Sequence, residues 1–129
     1  MSDTIKDVEA DLRSGSNVLL AVLHDSGRVA GAVRWRFQKD QLRFHRLAVV
    51  PSERRKGVAS ALLRAMITEA EGQGCHSIVC DVRLGVSRNV ALYEKFGFVH
   101  TGERMVTRGG FTVRLGVMTL LLQSGLDDN

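Results

Sequence analysis

The chain of 129 residues has no apolar run approaching the ~20 residues that a helix needs to cross a bilayer. Its longest runs, Val18 to Leu23 and Val117 to Leu122, are strand-sized, so no membrane partner is expected. The opening Met1-Ser2-Asp3-Thr4 lacks a basic region followed by an apolar stretch, and secretion is not signalled. Proline occurs once, at Pro51, and there is no repeat, low-complexity tract or Pro/Gly/Ser linker. One domain spanning residues 1–129 is expected. Cysteine occurs twice, as Cys75 and Cys80. That spacing is neither C-x-x-C nor half of a zinc ribbon, and His76 does not complete a four-ligand set. No metal is expected, and two reduced thiols on or beside a strand suit a cytoplasmic setting. Two phosphate-binding signatures are also missing, G-x-x-x-x-G-K-[ST] and G-x-G-x-x-G, which removes Walker-type and Rossmann-type readings.

What is present is an ordinary globular composition, 44% apolar and 25% charged, which argues against disorder. The net charge of +4 is modest but uneven. Arg34, Arg36, Lys39, Arg43, Arg46, Arg54, Arg55 and Lys56 crowd one stretch, which points to an anionic partner. Composition alone leaves nucleic acid and a phosphorylated cofactor as alternatives.

Hydrophobic periodicity orders the chain. Ile5, Val8 and Leu12 fall at helical spacing, so a helix is predicted over Thr4 to Arg13, capped by Asp3 or Thr4 and ended by Ser14-Gly15-Ser16-Asn17. Val18 to Leu23 and Val29 to Phe37 read as an antiparallel hairpin. The next strand, Leu42 to Val50, changes parity: Leu42 and Phe44 are even-numbered, Leu47 and Val49 odd. Either a β-bulge lies near His45-Arg46 or the strand becomes buried on both faces. A helix follows from Gly57, with Ala59, Leu62, Leu63, Met66 and Ala70 as its buried stripe, stopped by Gly72-Gln73-Gly74. His76 to Arg83 is a strand, Asn89 to Phe96 a short helix, and Phe98 to Thr107 with Phe111 to Leu122 a closing hairpin around Arg108-Gly109-Gly110. Ser124 to Asn129 is a polar tail. The fold class is α+β, a mixed and mostly antiparallel sheet flanked by helices.

Arg54-x-x-Gly57-x-Ala59 sits between a strand and an amphipathic helix. Free backbone N–H groups at a positively polarised helix N-terminus make a natural seat for phosphate. Gly57 permits close approach, Ala59 keeps the first turn free of bulk, and Arg54, Arg55 and Lys56 supply charge. Three basic residues solvating a turn is the bland alternative.

Two motifs together resemble the GNAT superfamily of acetyl-CoA-dependent N-acyltransferases. Leu47-Ala48-Val49-x-Pro51 runs into Arg54-x-x-Gly57-x-Ala59, similar to the family's coenzyme A motif [QR]-x-x-G-x-[GA]. Asn89 with Leu92-Tyr93-Glu94-Lys95-x-Gly97-Phe98 resembles its second motif, in the family's order and spacing. The resemblance implies a primary-amine acceptor, a small molecule or a peptide, that attacks the thioester of acetyl-CoA directly in a ternary complex. It implies that backbone groups of Leu47, Ala48 and Val49 hold the pantetheine arm and polarise the thioester carbonyl. By the same resemblance Arg54 and the N–H groups of Arg55, Lys56, Gly57, Val58, Ala59 and Ser60 hold the pyrophosphate, and Tyr93 protonates the leaving thiolate. Tyr93 could instead fill the core. Asn89 could bond the pantetheine, orient Tyr93 or cap the short helix. His45 is the candidate base, in a His-x-Leu-Ala-Val setting similar to that of the arylalkylamine N-acetyltransferases, with Asp81 a second candidate through an ordered water. His24, His76 and His100 read as surface or turn histidines.

One departure is notable. Family members open with a strand and two helices before the first hairpin, and here only about sixteen residues precede Val18. A shortened N-terminal part without the first strand is expected, leaving an open acceptor cleft or one completed by a second copy in a homodimer. The alternatives to an enzyme are a catalytically silent coenzyme A-binding sensor or interaction domain, and a nucleic-acid-binding domain resting only on the basic stretch. The preferred reading has no nucleic-acid partner.

Overall fold

Strand follows strand from Ala10 to Val49, because the apolar runs there are too short for helices and are punctuated by turns. The computed structural model describes residues 10–15, 17–83 and 89–122. β1 (Ala10–Gly15), β2 (Val18–Leu23), β3 (Val29–Gln38) and β4 (Gln41–Val49) form an antiparallel meander. A 3-10 turn (Pro51–Glu53) leads into helix α1 (Val58–Gly72), which crosses to β5 (Ser77–Arg83). Helix α2 (Val90–Lys95), β6 (Val99–Arg108) and β7 (Phe111–Leu121) complete the chain. The seven strands lie in the order β1-β2-β3-β4-β5-β7-β6, and β4 with β5 is the parallel pair. The fold is the mixed sheet with helices anticipated from the pattern.

The first element differs from expectation. Ala10–Gly15 is a strand, so the helix predicted over Thr4 to Arg13 does not extend into it. Residues 4–9 of that segment lie outside the described residues, as do Ser16 and the tail Ser124 to Asn129. The reason is tertiary. β2 is apolar along its whole length, and its free edge needs a ladder partner more than Leu12 needs a helix. Ala10 pairs with Leu23 and Gly15 with Val18. The first strand is therefore present rather than missing, and Asn17 in the left-handed region (φ 59°) turns it straight into β2 with no helix between them.

The parity change in β4 is a bulge. Ala32 and Arg34 are two apart on β3, whereas their partners Ala48 and His45 are three apart on β4. The extra residue re-aims everything after His45. Before it, Leu42 and Phe44 are fully buried. After it, Leu47 and Val49 are half-buried and Ala48 is exposed.

Both helices cover one face of the sheet. α1 buries Val58, Ala61, Leu62, Leu63, Met66 and Ala70 against β2 to β5. Ala59, expected in that stripe, is only half-buried, because the stripe begins at Val58. Gly31 makes this seat possible. A Cβ there would lie 2.9 Å from Val58 Cγ1 and 3.0 Å from the Ala48 carbonyl oxygen. α2 joins α1 on the same face, with the Arg64 guanidinium 5.6 Å above the Phe96 ring. Gly97 (φ 102°) then reverses the chain. Its N–H donates to the Glu94 carbonyl and the Phe98 N–H to the Tyr93 carbonyl, each at 3.0 Å. This drops Phe98 into the core at 2% exposure, a burial worth roughly 1.5–3 kcal/mol.

Candidate active site

The parallel pair at the centre of the sheet is held by only three rungs, Gln41–Ser77, Leu42–Ile78 and Arg43–Val79. Beyond them β4 runs on to Val49 and β5 to Arg83 without pairing, so the strands part. On its other edge β4 stays tied to β3, Ala48 to Ala32 and Val49 to Gly31. The backbone edge of Leu47–Val49 facing the gap thus has no strand partner. Backbone N–H and C=O groups are obligatory hydrogen-bonding groups, and an extended amide-bearing ligand would satisfy them.

This edge opens into a cleft of about 710 Å³, within the range of small-molecule sites. Leu47, Ala48, Val49, Glu53, Arg54, Arg55, Gly57, Val58, Ala59, Ser60, Asn89 and Leu92 line it. Gly57 caps α1 in the left-handed region (φ 85°) with no side-chain cap. The first N–H bonded within the helix is that of Ala61, to the Gly57 carbonyl at 3.0 Å. The N–H groups of Val58, Ala59 and Ser60 therefore lack helical acceptors, and the first turn carries no acidic residue to compete for them. Arg55 also takes a positive φ, 66°, a strained conformation for a residue with a Cβ. The turn thus presents bare N–H groups and two arginines to one small volume.

Eleven residues were expected at the cofactor, and ten of them line this cleft; Lys56 is not among the lining residues. Its ammonium lies 3.3 Å from Glu53, a cleft residue that the sequence reading did not single out. The pairing offsets a carboxylate that would otherwise oppose an anion. Leu92, a member of the second motif, also lines the cleft; its place one position before Tyr93 is the available signal.

Tyr93 lies beneath the gap on the helix side, 5% exposed. Its ring meets Phe44 edge-on at 5.5 Å and Phe98 at 5.7 Å. Burial raises its phenol above the ordinary range, the Cys80 thiol adds to this, and a side-chain hydrogen bond with Asn89 pulls the other way. The phenol accordingly stays protonated. Asn89 makes no side-chain cap bond to α2 and lines the cleft. His45 is on the opposite face, exposed, at the next outward position after the last rung. Asp81 is its counterpart on β5, held by Arg43 at 3.1 Å and Arg104 at 3.5 Å. His24, His76 and His100 are all exposed and away from the cleft. Cys75 and Cys80 are buried and not joined in a disulfide; burial, with help from Asp81 and against Arg43, pushes Cys80 up to about 12.

The sequence profile of the acetyltransferase (GNAT) family matches residues 2–98. The chain belongs to this family. Among similar proteins are N-acetyltransferase 8 of Mus musculus, 36% identical over 66% of this chain and 40% of the relative, and N-acetyltransferase 8 of Rattus norvegicus, 33% identical over 80% and 47%. The chain spans less than half the length of these curated relatives. Of solved structures, the ribosomal-protein-S18-alanine N-acetyltransferase of Escherichia coli superimposes with a TM-score of 0.68 at 26% identity, covering 84% of this chain and 71% of that one. A GNAT family acetyltransferase from Elizabethkingia anophelis, solved with acetyl-CoA bound, shares the fold at a TM-score of 0.68 and 18% identity, covering 81% and 75%. Family membership supports acetyl transfer as the general chemistry and acetyl-CoA as the donor. Among the described residues no helix is long and apolar enough to cross a membrane.

Proposed function

We propose that the chain is an N-acetyltransferase that moves an acetyl group from acetyl-CoA to a primary amine of a small molecule or peptide by direct attack. The observation that carries this is the unpaired Leu47–Val49 edge of β4 running directly into the open N-terminus of α1. An extended amide arm ending in a pyrophosphate matches that sequence of acceptors and donors. The donor supplies an acetyl group activated as a thioester. Leu47 to Val49 hold the arm through the backbone, and an N–H there polarises the carbonyl. Arg54, Arg55 and the N–H groups of Gly57 to Ser60 hold the phosphates.

Two side chains complete the scheme from opposite faces of the gap. Tyr93, kept neutral by burial, has a proton to give to the departing sulfur. His45, on the open face, takes the proton that an ammonium must lose before it attacks. Placing acid and base on opposite sides keeps them from neutralising one another directly. The test is turnover of purified chain with acetyl-CoA and a panel of primary amines, read by thiol release alongside calorimetric binding of acetyl-CoA. Binding with amine-dependent thiol release is expected. Tight binding with no thiol released for any amine would make the chain a silent coenzyme A sensor.

A further inference from the structure

The sheet face turned away from both helices is basic where it meets the gap. On β3, Val33 and Trp35 point into the helix-side core, so the intervening Arg34 and Arg36 project from the other face. On β4, Leu42 and Phe44 are buried, which puts Arg43 and His45 beside them on that same open face. Register sets Arg36 directly opposite Arg43, and Arg34 opposite His45. From β5 and β6 come Asp81 and Arg104, joined at 3.5 Å. Arg43 holds the same carboxylate at 3.1 Å. Two of the four arginines thus share Asp81, and among the described residues neither Arg34 nor Arg36 has a carboxylate partner.

This arrangement does little for folding. Like charges placed directly opposite on neighbouring strands oppose the sheet. Arg43 sits on the last rung before the strands part, and His45 and Asp81 are the next residues outward on each side. On the helix side Phe44, Tyr93 and Phe98 pack against one another. On the other side the described groups nearest the gap are His45, Arg43 and Asp81, with Arg34 and Arg36 one strand away.

We propose that the acceptor amine carries an anionic group, a carboxylate or a phosphate, that Arg34 and Arg36 bind while Asp81 fixes Arg43 at the mouth of the gap. Planar guanidinium forks suit such oxyanions bidentately, and the excess charge draws anionic acceptors toward the gap. The proposal rests on the transferase reading above, and it names the substrate class for that same site.

The test compares short peptides of one length whose N-terminal amine is followed by glutamyl, phosphoseryl, glutaminyl or lysyl residues. The anionic peptides should be acetylated at least ~10-fold more efficiently in kcat/KM, with an advantage that falls as salt rises. The phosphoseryl arm tells phosphate from carboxylate recognition. In the double variant Arg34→Glu, Arg36→Glu that advantage should vanish while acetyl-CoA affinity stays unchanged; Arg34→Gln, Arg36→Gln should fall between. Preference for glutaminyl or lysyl peptides, or an anionic preference untouched by the double variant, overturns the proposal. So does tighter binding of duplex DNA than of any peptide. If no peptide is acetylated, calorimetry of the coenzyme A-loaded chain with the glutamyl peptide decides separately. Binding that the double variant abolishes keeps the anion site and leaves the transferase reading to the amine panel, and absence of binding removes the site.

Discussion

The two sides of the gap between β4 and β5 are built from different materials. On the helix side, Phe44, Tyr93, Phe98 and Cys80 are buried together, and the adjoining α1 turn holds its shape through Gly57 and Gly31. On the other side the side chains of Arg34, Arg36 and His45 are exposed. The first side offers backbone beside a fixed aromatic core, which fits a constant ligand such as a cofactor. The second offers charge on long side chains, which can be rearranged without disturbing the core and so suits a partner that differs from one relative to the next.

If the division holds, damage to the helix side removes function outright. The largest effect is expected from Gly57→Glu. It forces a Cβ into the left-handed region, a strain of about 1–3 kcal/mol, and puts a carboxylate where phosphates would sit. Acetyl-CoA affinity should fall at least ~100-fold by calorimetry; retained affinity would mean that the phosphates sit elsewhere. Next is Tyr93→Phe, which keeps the ring packing and removes the hydroxyl. Turnover should drop by roughly 10²–10⁴, the usual worth of a general acid, with acetyl-CoA affinity unchanged. An equal loss of affinity would turn Tyr93 into a binding residue and blur the comparison.

The smallest effect concerns pH. Burial raises the Cys80 thiol from 9.0 to about 12 and the Tyr93 phenol in the same direction. Below about pH 9 both groups are neutral in folded and unfolded chains, and the stability they contribute is fully present. Above it the unfolded chain ionises first, so stability falls as pH rises toward the folded value. Urea unfolding across this range should show the decline, and Cys80→Ala should make it shallower. An unchanged slope would mean that the helix side is wetter than its packing implies.

The residues that line the cleft could be grouped from the sequence because most of them are local. Gly57, the basic turn and the Leu47 to Val49 run are contiguous, and the bulge left its trace as a change of parity. The aromatic-glycine-aromatic step was legible too, since Gly97 is what lets Phe98 turn back under Tyr93. What could not be read depends on distant partners. Ala10–Gly15 became a strand because β2 required an edge, a demand invisible within its own residues. The basic stretch read as one cluster, yet the sheet divides it: Arg54 and Arg55 go to the cleft, Arg34, Arg36 and Arg43 to the opposite face, and Lys56 to Glu53. The side chain of Arg46 lies outside the described residues.

The short β4–β5 ladder has a mechanical consequence. The sheet is in effect two blades, β1 to β4 and β5 to β7, hinged on three rungs. α1, which packs on β2, β3, β4 and β5, is the strap across that seam. A ligand lying along β4 with its phosphates on the first turn of α1 grips the seam and the strap at once. Occupancy would therefore stiffen the joint where the protein is least bound to itself, and slow fluctuations of the blades would change the width of the slot in which the reacting groups must meet.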